Sequence, residues 1–330
     1  MEYNREIKNK WIDGNKMKTR VENKMVEILQ LLRRQNIYYI KINGGMCGFF
    51  AMLREALDFL CYAEEINMIP YIVYDKSNLY AEEKGFRGTK NVFEYYFIQP
   101  MKVNYFIYPW NTNVVKSNYS DRDKIELKYN GKEFSYIVEE SYLNKMAYIY
   151  GKYIRLLPYI KKYIYSSIRK KINARKTLGV HIRGTDFNKS FNRHPVPVTI
   201  DEYIEKIQKA VGEYGYEQIF IATDDERSLE EIKEKISLPI VYYEDVTRSK
   251  NNKSVAFSRS NRENDRYLLG LEVLRDVYTL AACSGFIGCL SQIDIFVQII
   301  KKSRGKRYQY FDIINHGVFS NNKDCWEALT

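Results

Sequence analysis

Between Leu178 and Lys301 the chain alternates, four times over, a short apolar run with a longer amphipathic stretch. The runs Leu178–Arg183, Gln218–Ala222, Ile240–Tyr243 and Phe286–Cys289 have the length and composition of strands. The stretches Ile200–Tyr214, Glu226–Ile236, Tyr267–Ala282 and Gln292–Lys301 repeat apolar residues at helical spacing. Parallel neighbours need a long crossover, and a helix packed on the sheet face supplies it, so this pattern specifies βαβ units. The expected fold class is α/β.

The first half carries a shorter version of the same pattern. The apolar run Ile37–Ile42 leads into Gly44, Gly45 and Gly48. Phe49–Ile66 then repeats apolar residues at helical spacing, and Pro70 opens a further strand, Tyr71–Tyr74. Upstream, residues 3 to 36 are strongly charged, with apolar residues at roughly helical intervals. Lys124–Tyr129 and Glu133–Val138 flank Asn130-Gly131, the commonest signal for a tight hairpin, and predict a local antiparallel excursion. Gly151 to Lys176 holds nine Lys/Arg and no acid. A domain boundary is expected there, giving 1–165 and 166–330.

In an open parallel sheet, ligands bind outside the carboxyl ends of the strands. His181, Arg183 and Asp186 follow the first strand of the second half, and Thr223, Asp224 and Asp225 the second. Glu244 and Asp245 follow the third, and Ser291 and Gln292 the fourth. A shared ligand site is expected at this edge; the plain alternative is the ordinary polarity of loops. Arg183 stands out because a guanidinium offers a planar fork of donors to a phosphate. It keeps its charge at any working pH and can neutralise a pyrophosphate leaving group without a metal. Its alternative is an ion pair with Asp186 or Asp225. His181 lies two residues earlier and projects to the same side of the strand.

The run His181-Ile182-Arg183-Gly184-Thr185-Asp186 resembles the H-x-R-x-x-D signature of the fucosyltransferase superfamily. Ile221-Ala222-Thr223-Asp224-Asp225 resembles the A-T-D-D stretch of its α-1,6 branch, and Asp276 followed by Ser291-Gln292 is similar to that branch's third motif. All three occur in order within Gly179 to Ile300. Gly44-Gly45-Met46-Cys47-Gly48 occupies the place of the family's glycine-rich turn, without its polar ending. The resemblance implies a GT-B architecture, two Rossmann-like domains facing across a cleft, with GDP-fucose held mainly by the C-terminal one. It implies that Arg183 acts on the β-phosphate, that His181 and Asp276 meet the guanosine, and that Ser291 meets the diphosphate. Asp224 and Asp225 would line the donor pocket, with Asp186, Gln292 and Gly45 completing the set.

Two departures from the family pattern are present. Gly184 stands where the α-1,6 branch has a second arginine, and Phe187 and Phe191 roughly where it has a lysine and a glutamate. Lys189 and Arg193 are the nearest replacement cations. No residue identifies the general base; Glu55, on the helix after the glycine turn, is either a candidate or part of a solvated face. The implied activity is inverting, metal-independent transfer of L-fucose from GDP-fucose to a glycan hydroxyl, with no cofactor. Transfer of another GDP-sugar, or nucleotide or nucleic-acid binding without catalysis, remain the alternatives.

Composition bears on partners and compartment. The 330 residues carry 52 Lys+Arg against 41 Asp+Glu, a net charge of +11 that suits a phosphorylated or polyanionic partner. Five cysteines without a C-x-x-C pair, and three histidines, imply neither a disulfide framework nor a zinc cage. No metal is expected, and a reducing cytoplasm is. Asp121-Arg122-Asp123 reads as a D-x-D, yet it falls in a polar loop and not at the end of an apolar strand. The start is too polar for a signal peptide, and no run of about 20 apolar residues follows. Gly151–Lys176 and Lys301–Arg307 leave three readings open: a solvated face, an anionic membrane surface, or nucleic acid. For a transferase of lipid-linked glycans, docking at the inner membrane face is preferred to nucleic acid. Arg248 to Arg266, rich in Ser, Asn and Arg, is expected to be a loop that closes over the donor.

Overall fold

The computed structural model describes residues 35–101, 112–184, 190–250, 255 and 260–321. The first sheet has strand order β2-β1-β4, built from β1 (Gln35–Ile42), β2 (Ile69–Tyr74) and β4 (Thr112–Lys116). Both pairings are parallel, with Ile40 opposite Ile72 and Ile37 opposite Val114. Helix α1 (Phe49–Glu65) makes the crossover from β1 to β2. The second sheet is wholly parallel, in the order β10-β9-β6-β7-β8. Its strands are β6 (Thr177–Ile182), β7 (Gln218–Thr223), β8 (Ile240–Val241), β9 (Gly285–Cys289) and β10 (Tyr310–Ile314). Helices α5 (Ile200–Tyr214), α6 (Glu226–Lys235), α7 (Asp265–Ala282) and α8 (Gln292–Ser303) connect them.

The local chemistry explains these elements. Every residue of β6 is buried, as a central parallel strand with both faces covered requires. On α5, the Thr199 hydroxyl accepts from the Glu202 N–H while the Glu202 carboxylate accepts from the Thr199 N–H, a full capping box. Gly44 enters the turn before α1 at φ +73, where a Cβ would lie 2.5 Å from the Met52 sulfur and 2.6 Å from Asn78 Cβ. Only glycine fits that approach.

The two sheets are joined by α2 (Tyr119–Asn130), α3 (Glu140–Tyr153) and α4 (Pro158–Lys171), and by a two-stranded antiparallel piece, β3 (Phe97–Ile98) with β5 (Arg155–Leu156). One apolar core extends from the first sheet's helices to α7 and α8. Phe50 and Phe296 rings lie 4.8 Å apart, and the Tyr150 and Tyr278 hydroxyls 2.6 Å apart. No helix among the described residues is long and apolar enough to cross a membrane.

The expected hairpin around Asn130-Gly131 is not formed. Lys124–Tyr129 belongs to α2, whose N-cap Asn118 and N3 residue Asp121 bond reciprocally, and Gly131 at φ +66 is its left-handed C-cap. Asn-Gly satisfies a helix end as well as a hairpin turn, since both need positive φ. Asp121, half of the D-x-D, is engaged as a capping residue and accepts from the Tyr38 hydroxyl at 2.8 Å. Strand β10 extends the sheet beyond the four strands legible in the sequence. The helix expected before residue 35 lies outside the described residues.

Candidate active site

A cavity of about 470 Å³ opens between the two sheets. It is lined from one side by the turn and first residues of α1, and from the other by the ends of β6 and β7, one face of α7 from Leu269 to Leu280 and the start of α8. His181, Arg183, Asp224, Asp276 and Gln292 all reach it. These are residues from all three sequence motifs, brought together by the register of β6 with β7 and β9.

His181 is buried, and its Nδ1 lies 3.0 and 3.1 Å from the two carboxylate oxygens of Asp294. With Nδ1 engaged, Nε2 remains for the cavity. Asp294 sits in the first turn of α8 and is itself held by the Ser291 hydroxyl, and its own N–H donates to Ser291 Oγ at 3.3 Å. Gly288 makes room for this pair: a Cβ there would stand 2.1 Å from Asp294 Oδ1. The donor atoms of His181, Cys289 and Asp294 lie within 4.8 Å of one another. Burial pushes the Cys289 thiol up to about 12.

Asp276 is buried on α7, and desolvation pushes its carboxyl up to about 7. Arg275, Arg248 and His181 pull it down, and Glu272 pushes it further up. Near neutrality this group exchanges between donor and acceptor. Gln292 is 6% exposed, and neither its amide oxygen nor its nitrogen has a hydrogen-bond partner among the described residues. A buried unsatisfied amide on a cavity wall is a group awaiting a polar ligand. Asp224 accepts from the Gly184 N–H at 3.1 Å, which ties the turn after Arg183 to the end of β7. The N-terminus of α1 has neither an acidic residue in its first turn nor a side-chain cap, and the Tyr80 hydroxyl accepts from the Phe49 N–H at 2.9 Å. That end of the helix favours negative charge.

Several expected site residues stand elsewhere. Asp225 does not line the cavity; it caps α6, accepting from the Ser228 N–H at 3.3 Å and hydroxyl at 2.7 Å. Ser291 caps α8 and donates its hydroxyl to Asp294, so it supports the site from behind the wall. Gly45 forms the turn at φ +52 without lining the cavity; Met46, Cys47 and Gly48 do so. Glu244 and Asp245 point away, to Lys171 at 2.8 Å and Arg275 at 2.5 Å, and Val246 and Thr247 take the wall positions. Asp225, Glu244 and Asp245 share one physical reason: each carboxylate finds a helix N–H or a nearby cation. Glu55 does not line the cavity either, although burial pushes its carboxyl up to about 7 against Arg122.

Arg193 lies outside the wall at φ +63, and Phe191 and His194 line it, their rings 4.1 Å apart. Asp186 and Lys189 lie outside the described residues. Of the loop Arg248–Arg266, residues 251–254 and 256–259 lie outside the description; Val255 lines the cavity, and Arg262 pairs with the lining residue Glu272. Asp294, Glu272 and Phe134 were not singled out from the sequence. The first had a signal, Ser291-x-x-Asp294, which has the spacing of a capping box.

No protein-family model matches the chain, and no curated protein matches it in sequence. Among solved structures, it is similar to NodZ alpha-1,6-fucosyltransferase soaked with GDP-fucose, at 12% identity over 81% of this chain and 93% of that one, with a TM-score of 0.49. The fucosyltransferase NodZ from Bradyrhizobium gives 13% identity over 81% and 92%, with a TM-score of 0.46. POFUT1 in complex with GDP-fucose gives 13% identity over 85% and 98%, with a TM-score of 0.45.

Proposed function

We propose that the chain is a glycosyltransferase that moves L-fucose from GDP-fucose to a hydroxyl group of a glycan, with inversion and without a metal. The observation that carries this is the convergence of His181, Arg183, Asp224, Asp276 and Gln292 on one cavity at the carboxyl ends of a parallel sheet. In a GT-B arrangement, residues 1–165 face the acceptor and 166–330 hold the donor. The acceptor hydroxyl oxygen attacks the anomeric carbon as the bond from that carbon to the β-phosphate oxygen breaks; GDP departs with the electron pair and the hydroxyl proton passes to solvent. Arg183, at the end of β6, offsets the charge growing on that phosphate, and the start of α1 adds its partial positive charge from the opposite wall. His181 Nε2, the Asp276 carboxyl and the Gln292 amide supply the acceptors and donors that a guanosine requires. Cys61, Cys283 and Cys289 are buried thiols outside any disulfide, a state that suits a cytoplasmic enzyme.

The test is GDP release from GDP-fucose in the presence of glycan acceptors, with and without EDTA. Release that survives EDTA and is absent with GDP-mannose is the expected result. Release that stops with EDTA would overturn the metal-free mechanism. Release from GDP-mannose alone would replace the donor, and binding of GDP without any release would leave a nucleotide-binding protein.

A further inference from the structure

The two basic runs of the sequence are separated by more than a hundred residues, and the fold brings them side by side. Arg304, in the turn after α8, lies 5.6 Å from the Tyr165 ring of α4 and 5.1 Å from the Tyr278 ring. Tyr165 stands between Lys161 and Arg169 at helical spacing of four, and Lys162 and Lys170 form the adjoining row. Ile160, Ile164 and Ile168 are buried on the opposite side, so α4 lies along the surface and presents both rows together. The turn adds Lys306 and Arg307, both exposed.

What sets this face apart is that its charge is not compensated. Lys161, Lys162, Arg169, Lys170, Lys306 and Arg307 have no carboxylate within ion-pair distance among the described residues. Four lysines at its border do: Lys152 with Glu64, Lys171 with Glu244, Lys176 with Glu217 and Lys302 with Glu140. From Ser141 to Thr185 the sequence contains no acid at all. None of the six unpaired cations lines the cavity.

We propose that this face docks on an anionic lipid bilayer. A helix lying along the surface meets a plane with two rows of cations at once, and long Lys and Arg side chains reach headgroup phosphates independently of one another. Single-stranded nucleic acid instead needs a groove with open aromatic faces for stacking. The aromatic rings here are taken, Tyr165 by Arg304 and Tyr163 by Arg275 at 5.5 Å. Since the cavity wall includes none of these six cations, the proposal stands or falls apart from the transfer chemistry.

The experiment is co-sedimentation of the full chain with phosphatidylcholine vesicles, with and without phosphatidylglycerol. Two fourfold variants are compared: Lys161→Glu, Lys162→Glu, Arg169→Glu, Lys170→Glu on the face, and Lys84→Glu, Lys90→Glu, Lys116→Glu, Lys209→Glu elsewhere on the exposed surface. Both change net charge equally, and circular dichroism checks that both fold. The expected result is binding that requires phosphatidylglycerol, weakens with salt and falls at least about tenfold in the face variant but less than about threefold in the control. Equal losses in the two variants would reduce the effect to net charge and overturn the proposal. So would a wild-type chain that ignores the anionic vesicles, or a face variant that keeps vesicle binding and loses affinity for random-sequence RNA.

Discussion

The two walls of the cavity are built from different chemistry. On the first sheet's side the lining residues are Met46 to Ala51, Leu79, Tyr80, Phe134 and Tyr136, and none of them carries a charge. On the second sheet's side stand Arg183, Asp224, Glu272 and Asp276, together with His181 and Gln292. The first half is not poor in buried charge; it uses it differently. Arg54 is fully buried on α1, with its Nη2 bonded to Glu126 at 2.8 and 3.1 Å, its Nε to the Tyr142 hydroxyl at 3.0 Å and its Nη1 to the Ser135 carbonyl at 2.7 Å. Tyr142 donates onward to Asp58 at 2.7 Å, and burial together with Glu126 raises the Asp58 carboxyl well above its ordinary range. The first half's buried charges close on one another away from the cavity, whereas on the second sheet's wall His181, Asp224 and Glu272 open on the cavity while bonded to Asp294, Gly184 and Arg262, and the Gln292 amide has no partner among the described residues.

That contrast predicts a double dissociation. Arg54→Met should cost about 3–5 kcal/mol of stability, because Glu126 and Asp58 lose their buried cation, while the fraction that folds keeps its turnover. Denaturant midpoints measured beside GDP-fucose turnover would check it. Arg183→Ala should do the reverse: turnover falls about 100- to 1000-fold, as when one transition-state donor is removed, with the midpoint unchanged. If Arg183→Ala unfolds the chain, or Arg54→Met spares it, the division of labour between the halves fails.

Smaller effects sharpen the same division. Asp294→Asn frees the His181 ring from its carboxylate, and GDP affinity should drop roughly tenfold with little change in fold, as titration calorimetry would show. The Asp276 carboxyl, raised to about 7 in the free protein, keeps its proton across a range where the unfolded chain has lost it. This group's contribution to stability therefore falls as pH rises from its unfolded value of about 3.9 through 7. A nucleotide that donates to Asp276 needs the ionised form, so affinity for GDP should rise as pH passes 7, and Asp276→Asn should flatten that rise. Least of all, Asp225→Ala should remove a helix cap worth about 1 kcal/mol and leave GDP affinity as it was.

Much of the second half was legible in the sequence because local signals agreed with the fold. The helix Ile200–Tyr214 has its apolar period, its Thr199 and Glu202 cap and its closing Gly215 at φ +64 all in register. β6 reads as a strand because burial on both faces keeps it mostly apolar, with Thr177 and His181 as its polar side chains. The misreadings have one cause, a local signal with two uses. Asn130-Gly131 serves a helix end as well as a hairpin, and Asp225, Glu244 and Asp245 sit at strand ends yet turn to a cap or a cation. The winning partner is local for Asp225, which takes Ser228, and distant for Glu244 and Asp245, which take Lys171 and Arg275. Asp294 was missed for the same reason: its capping position was visible, but its partner His181 lies more than a hundred residues away.

The most direct measurement is the affinity of GDP and of guanosine, by calorimetry, for the native chain and for Arg183→Ala. Recognition by the second sheet's wall predicts that Arg183→Ala weakens GDP at least about tenfold and leaves guanosine within about twofold, since a charged hydrogen bond to phosphate is lost and the base contacts are not. Equal weakening of both ligands, or a native chain that binds neither, would contradict the assignment of the cavity to a guanine nucleotide.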